Sequence, residues 1–226
     1  AGDEALLRWR NRALGEIIPS QFIAQAENSG EIVRPGAWVI AESCRQWRAW
    51  HDAGIAPPHI AVNVSFRQLL SGSLLEAVRA GTEGCRLPPD TLEIEMTERA
   101  LVEDAEDTLD AFAALKRMGT RLLIDDFGEG YSSLNYLRRL PLDGLKIGHA
   151  FVQGVPARAA DSAICEAIVR LADSLRLSVT AEGVETPAQH AFFARHHATC
   201  VQGYLLATPM ERRAMDDYLG KSATRH

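Results

Sequence analysis

Two adjacent carboxylates at the end of an apolar run pose the first chemical question. The run is Arg121-Leu-Leu-Ile-Asp-Asp-Phe-Gly-Glu-Gly-Tyr-Ser-Ser-Leu134. Leu122, Leu123 and Ile124 predict a buried parallel strand that delivers Asp125 and Asp126 to its end. Neighbouring side chains on a strand point to opposite faces. Both aspartates can therefore serve one site only where the strand ends and the backbone turns. Two such charges on an apolar rim repel and are costly to desolvate unless a cation lies between them. The plainer alternative is an Asp-Asp pair that only caps a loop.

The other predicted strands favour a site. Each carries a polar residue near its C-terminal end: Glu4, Asn63, Glu95, Lys146, Glu182 and Gln202, beside Asp125 and Asp126. Glu4, Asn63, Glu95, Asp125, Asp126 and Glu182 offer five carboxylates and one amide oxygen. All-oxygen ligation suits Mg²⁺ or Mn²⁺ and disfavours zinc bound through softer ligands. So many carboxylates exceed the needs of one Mg²⁺. Two ions about 3.5–4 Å apart would use the surplus, activating a water and neutralising charge on a phosphodiester under attack. Lys146 and Arg8 are the cations placed to meet phosphate oxygens. His190, His196 and His197 read as incidental.

The elements that must position these residues alternate strand and helix along the chain, the pattern of a parallel sheet with helical crossovers. Strands are expected at the start of the chain, over 59–65 and 91–98, ahead of Asp125, over 143–147 and 177–182, and over 200–204. Helices are expected over 21–28, 35–53, around 74–80, and over 107–118 and 134–140. Another follows the stripe Ile164, Ile168, Leu171 and Leu175, and the last two begin at Pro187 and Met210. Ser132 or Ser133 is expected to cap the helix over 134–140. Trp38, Trp47 and Trp50 follow a helix face and read as packing residues. Seven strands fit an α/β fold of the modified TIM-type (β/α)8 class, in which the site lies at the C-terminal strand ends. The first strand of a complete barrel is not found, and upstream residues are expected to supply it. The domain is expected over 1–220, with 221–226 a frayed tail.

Composition narrows the partners. The chain has 226 residues, 46% of them hydrophobic, and a formal net charge of −6. That charge argues against a groove for a nucleic-acid polymer, though not against a small phosphate ligand received by metal ions or by a few local Arg and Lys residues. Cys44, Cys85, Cys165 and Cys200 form no C-x-x-C pair and read as reduced thiols of a cytoplasmic protein. No run of membrane-spanning length is present, so no membrane contact by this domain is expected.

The ordered motifs resemble one family. Glu4-Ala5-Leu6 with Leu7-Arg8-Trp9 is similar to the signature of EAL-domain cyclic di-GMP phosphodiesterases. In the same order follow Phe22-Ile23 with Ala26-Glu27, Asn63-Val-Ser65, Glu95-Met-Thr97-Glu98, Asp125-Asp126-Phe127-Gly128 and Gly130-Tyr-Ser-Ser133. Lys146-Ile147, Ala181-Glu182-Gly183-Val184-Glu185 and Gln202-Gly203-Tyr204 complete the set. The resemblance implies metal-dependent hydrolysis of cyclic di-GMP to linear pGpG. It implies that Glu4, Asn63, Glu95 and Asp125 hold one ion and that Asp125 bridges to a second held by Asp126 and Glu182. Lys146 and Glu182 would orient or deprotonate the water. Arg8 and Gln202 would contact the nucleotide, with Glu185 in support, and Glu98 would anchor the loop over 127–133. The alternative for Glu98 is an exposed strand-end glutamate. A homodimer and an upstream GGDEF or sensor domain in the parent protein are also implied.

Three positions depart from the family pattern. Gly148 stands where an Asp is usual, on the strand face of Lys146. Glu129 replaces a small or hydroxyl residue, and Thr199 an Asp. None removes a metal ligand, so an active phosphodiesterase is the first reading. A catalytically weak or inactive cyclic di-GMP receptor is the second. A phosphodiesterase for glycerol phosphodiesters is the third.

Overall fold

The computed structural model describes residues 2–98, 105–130 and 134–223. The described chain forms two compact units. The first comprises Ala1–Ile94, Ala113–Arg121 and Met210–His226; the second comprises Glu95–Phe112 and Leu122–Pro209. The fold is α/β and of the modified TIM type, and its hydrogen-bonded strand order follows the chain.

In the first unit β1 (Asp3–Ala5) pairs in parallel with β4 (Ile60–Asn63), Glu4 lying opposite Ala61. Between them run a hairpin of β2 (Trp9–Asn11) and β3 (Gly15–Ile17), α1 (Pro19–Ser29) and α2 (Val33–Asp52). The hairpin was not anticipated. Its turn is fixed by the Asn11 carboxamide, whose Oδ1 accepts from Ala13 N at 2.8 Å and Leu14 N at 3.1 Å, a local bond that Asn makes readily. Helix α2 buries Ile40, Cys44, Trp47 and Trp50, one stripe of a 3.6-residue period. The indoles of Trp47 and Trp50 donate to Pro57 O at 2.8 Å and Asp216 Oδ1 at 2.6 Å. Trp38, by contrast, is exposed. After β4 come α3 (Phe66–Leu70) and α4 (Ser73–Cys85), which packs on α2. A reciprocal capping box between Ser65 and Gln68 starts α3, a short turn that hydrophobic periodicity does not register.

The strand β5 (Leu92–Thr97) begins in the first unit and ends in the second. Helix α5 (Ala105–Arg117) and β6 (Arg121–Phe127) follow. The second unit continues through α6 (Leu134–Arg139), β7 (Gly144–Ile147), α7 (His149–Val152), α8 (Ala159–Leu175), β8 (Ser178–Ala181), α9 (Pro187–Arg195) and β9 (Cys200–Val201). Here β6, β7, β8 and β9 pair in parallel in that order. The buried stripe of α8 is Cys165, Ile168, Val169 and Ala172, while Ile164 is exposed. The expected stripe was rotated because it weighted large residues, whereas small Cys165 and Ala172 face inward. The closing helix α10 (Arg212–Ala223) begins two residues later than expected and continues into the segment expected as tail. Ser132 and Ser133, the expected caps of α6, lie outside the described residues.

Candidate active site

Several candidates sit at or near the end of a strand. Asn63 is the last residue of β4, Lys146 the third of four in β7, and Glu182 directly follows β8. The paired aspartates show how a strand can present both to one side. The pairing of β6 with β7 slips between Ile124 and Phe127, a bulge at Asp125 and Asp126. Asp126 has φ of +50°, and its N–H donates to Asp125 Oδ1 at 2.9 Å. A left-handed non-glycine residue costs about 1–2 kcal/mol, and Asp tolerates it better than most. Alternation is thereby broken at the one place where both carboxylates can share a face.

Within the second unit, oxygens of Asp125, Asp126 and Glu182 lie within 4.8 Å of one another. Lys146 is 1% exposed, and its Nζ lies 2.7 Å from Glu95 Oε2, 2.6 Å from Glu182 Oε1 and 3.6 Å from Asp125 Oδ1. An ammonium offers three donors and no acceptor. It therefore gathers acids from three strands into one polar floor. The structure thus brings together Glu95, Asp125, Asp126, Lys146 and Glu182. The donor set fits a hard divalent ion: three carboxylates converge, and no histidine or cysteine joins them among the described residues.

Glu4 and Asn63 belong to the first unit, where Asn63 Nδ2 donates to Glu4 Oε1 at 2.6 Å. With its amine so engaged, the Asn63 carboxamide presents its oxygen elsewhere. Arg8 is exposed in the same unit and donates to the Leu7 carbonyl at 3.0 Å. In the second unit Gln202 follows β9. Its N–H donates to Ala181 O at 2.8 Å and its carbonyl accepts from Val184 N at 2.9 Å, which holds its backbone beside the segment bearing Glu182. Gly203 permits this, since a side chain there would collide with the Val184 backbone. Glu185 is exposed.

Glu98 is buried, at 4% exposure, so the reading as an exposed strand-end glutamate is set aside. Its Oε2 accepts from Gly128 N at 2.9 Å and Gly130 N at 3.2 Å, while its Oε1 has no hydrogen-bond partner among the described residues. Gly128, at φ of +99°, takes a backbone that other residues rarely adopt. The loop after the aspartates is thus built for close approach to this carboxylate.

Sequence reasoning missed the support that two residues give. Gln189 accepts through Oε1 from Glu185 N at 2.8 Å and Thr186 N at 2.9 Å, and donates from Nε2 to Val152 O at 3.1 Å. The signal was present: Thr186-Pro-Ala-Gln189 is a capping box that opens α9. Thr199 is the other. Its Oγ1 accepts from Val179 N at 3.0 Å, the office an Asp carboxylate at that position could fill.

Against known proteins, the family model described as EAL domain matches residues 1–209. The cyclic di-GMP phosphodiesterase NbdA of Pseudomonas aeruginosa is 43% identical over 216 residues, 96% of this chain and 28% of that protein. The bifunctional diguanylate cyclase/cyclic di-GMP phosphodiesterase MucR of the same organism is 45% identical over 209 residues, 92% of this chain and 30% of that one. This chain spans less than a third of either. Among solved structures, the PaMucR phosphodiesterase in complex with c-di-GMP superposes with a TM-score of 0.89 at 44% identity, covering 94% of this chain and 86% of that one.

Proposed function

We propose that this chain, which belongs to the EAL domain family, hydrolyses one phosphodiester bond of cyclic di-GMP to give linear pGpG. The observation that carries the reading is the convergence of Asp125, Asp126 and Glu182 around buried Lys146. Two relatives named for that activity are more than 40% identical to this chain over the aligned stretch. We assign Asp125, Asp126 and Glu182 to Mg²⁺ or Mn²⁺, with two ions in all, and keep Glu4, Asn63 and Glu95 as further candidate ligands. When bound, such ions would acidify a water and neutralise charge on the phosphoryl oxygens.

The protein's own residues do the rest. Lys146, donating to Glu95 and Glu182, can orient an attacking oxygen but offers no lone pair to take its proton. Glu182 is the acceptor for that proton. Water oxygen bonds to phosphorus, the bond to the 3′ oxygen breaks, and that oxygen leaves as a hydroxyl after taking a proton from solvent. Arg8 and Gln202 are assigned to the nucleotide, with Glu185 in support. Glu98 keeps the turn after Asp126 in place through its two bonds to Gly128 and Gly130.

The reading extends to a homodimer, to a cytoplasmic setting in keeping with four free cysteines, and to a GGDEF or sensor segment in the parent protein. No described helix is long and apolar enough to cross a membrane. The test is to incubate the purified chain with cyclic di-GMP and Mg²⁺ and resolve the nucleotides by chromatography. Formation of pGpG is expected. Tight binding with unchanged nucleotide would instead identify a receptor.

A further inference from the structure

The turn that carries the paired aspartates has a second attachment, made by a residue that departs from the family pattern. Glu129 N–H donates to Asp126 O at 3.2 Å, so Glu129 closes the turn that begins at Asp126. Its side chain then crosses to the segment after β7, where Oε1 accepts from Ala150 N at 3.3 Å. The crossing uses space that the glycine at 148 leaves open. A Cβ on Gly148 would collide with Glu129 Oε1 and stand 2.9 Å from its Cδ and 3.0 Å from its Cγ. These atoms are the outer part of a flexible, exposed side chain, so the clash would be relieved by Glu129 swinging away from Ala150. Gly148 is two residues beyond Lys146 on an extended backbone, so a side chain there would project to the face of Lys146. The carboxylate absent at 148 and the unusual carboxylate at 129 therefore fall in one volume.

We infer that Glu129 is a positioning residue, a latch that ties the Asp125–Asp126 turn to the end of the Lys146 strand, and that Gly148 is the vacancy that admits it. Two carboxylates then hold the turn: Glu98 through Gly128 and Gly130, and Glu129 through Ala150. The inference rests on the metal reading above. It predicts that the metal site depends on two residues that contact no ion. Partners that orient metal ligands typically change metal affinity by about 10–100-fold when lost.

The experiment compares E129A, G148A and E129A/G148A with the parent chain by Mn²⁺ titration calorimetry and thermal unfolding. The expected result is Mn²⁺ binding weakened about 10-fold in each single variant. The double variant should be no weaker than either single one, because G148A has nothing left to expel once Glu129 is gone. Additive losses, or unchanged Mn²⁺ affinity with only a lowered unfolding temperature, would overturn the latch. Failure of the parent chain to bind Mn²⁺ would instead count against the metal reading itself, and the latch would fall with it.

Discussion

A lysine buried to 1% exposure among acids from three strands is costly to desolvate, and in this protein the cost is offset by pairing. Removing one carboxylate unbalances both the lysine and any ion the cluster receives. Asp125→Asn keeps the shape and removes a charge. Because loss of a supporting residue alone costs about 10–100-fold, loss of a ligand should lower turnover of cyclic di-GMP by more than about 100-fold. Initial rates by chromatography check this, and near-normal rates would contradict the role given to Asp125. Replacing Mg²⁺ by Ca²⁺ is expected to inhibit, since Ca²⁺ takes longer bonds and more ligands; equal rates with both ions would argue against a tight oxygen cage. At this scale the sequence was highly informative about which residue types matter. Asp125, Asp126, Lys146 and Glu182 could be named from position and chemistry. Their means of convergence could not: the left-handed backbone at Asp126 has no signature beyond Asp's tolerance of it. Nor could the Glu129 crossing be foreseen, because a departure at 129 and another at 148 look unrelated until folding brings them into one volume.

The elements carry their own tests. At the opposite end of the strands from Asn63, His59 precedes β4, and Arg121 Nε lies 2.8 Å from Glu93 Oε2. Burial lowers the His59 pKa; the Glu93 carboxylate opposes that shift, and the Arg121 guanidinium reinforces it. With the folded pKa below the ordinary value near 6.5, the unfolded chain binds the proton more readily. Stability should therefore be full above about pH 6.5 and fall as the pH drops below it. In His59→Gln that decline should be shallower in urea titrations across pH 5–7, and an unchanged slope would exclude His59 as its source. Helix α9 offers a packing test. Phe193 is fully buried, and Phe193→Ala should cost about 3–5 kcal/mol of stability, measured by chemical denaturation; a loss under 1 kcal/mol would show that the site is not tightly packed. Strands and long helices were legible because their periods are strong, as in the stripe of α2. The hairpin β2–β3 and the short helices α3 and α7 were not. Each is held by local polar bonds or by a few residues, too short for a period to emerge.

For the molecule as a whole, a net charge of −6 disfavours an anionic substrate at long range. Local cations must reverse the sign where the nucleotide sits, and bound divalent ions are the strongest local charges available. That requirement joins composition to mechanism: an acidic chain with an acidic centre can receive a phosphodiester only where metal ions or local cations such as Lys146 and Arg8 meet it. The order of motifs along the chain made the fold class readable, because strand–helix alternation and polar strand ends recur over nearly its full length. The division into two compact units was not readable, since β5 runs without interruption from one to the other. Thiol chemistry follows the same whole-molecule logic. Burial pushes the Cys44 and Cys165 thiols up to about 12, in keeping with inert core residues. The central claim, attack on phosphorus by a water held at this carboxylate centre, is tested most directly by running the reaction in ¹⁸O-enriched water with Mn²⁺ and weighing the product by mass spectrometry. One heavy oxygen on the terminal phosphate of pGpG, abolished by EDTA and by Asp125→Asn, is the predicted result. Unaltered cyclic di-GMP, or pGpG without the label, would contradict it.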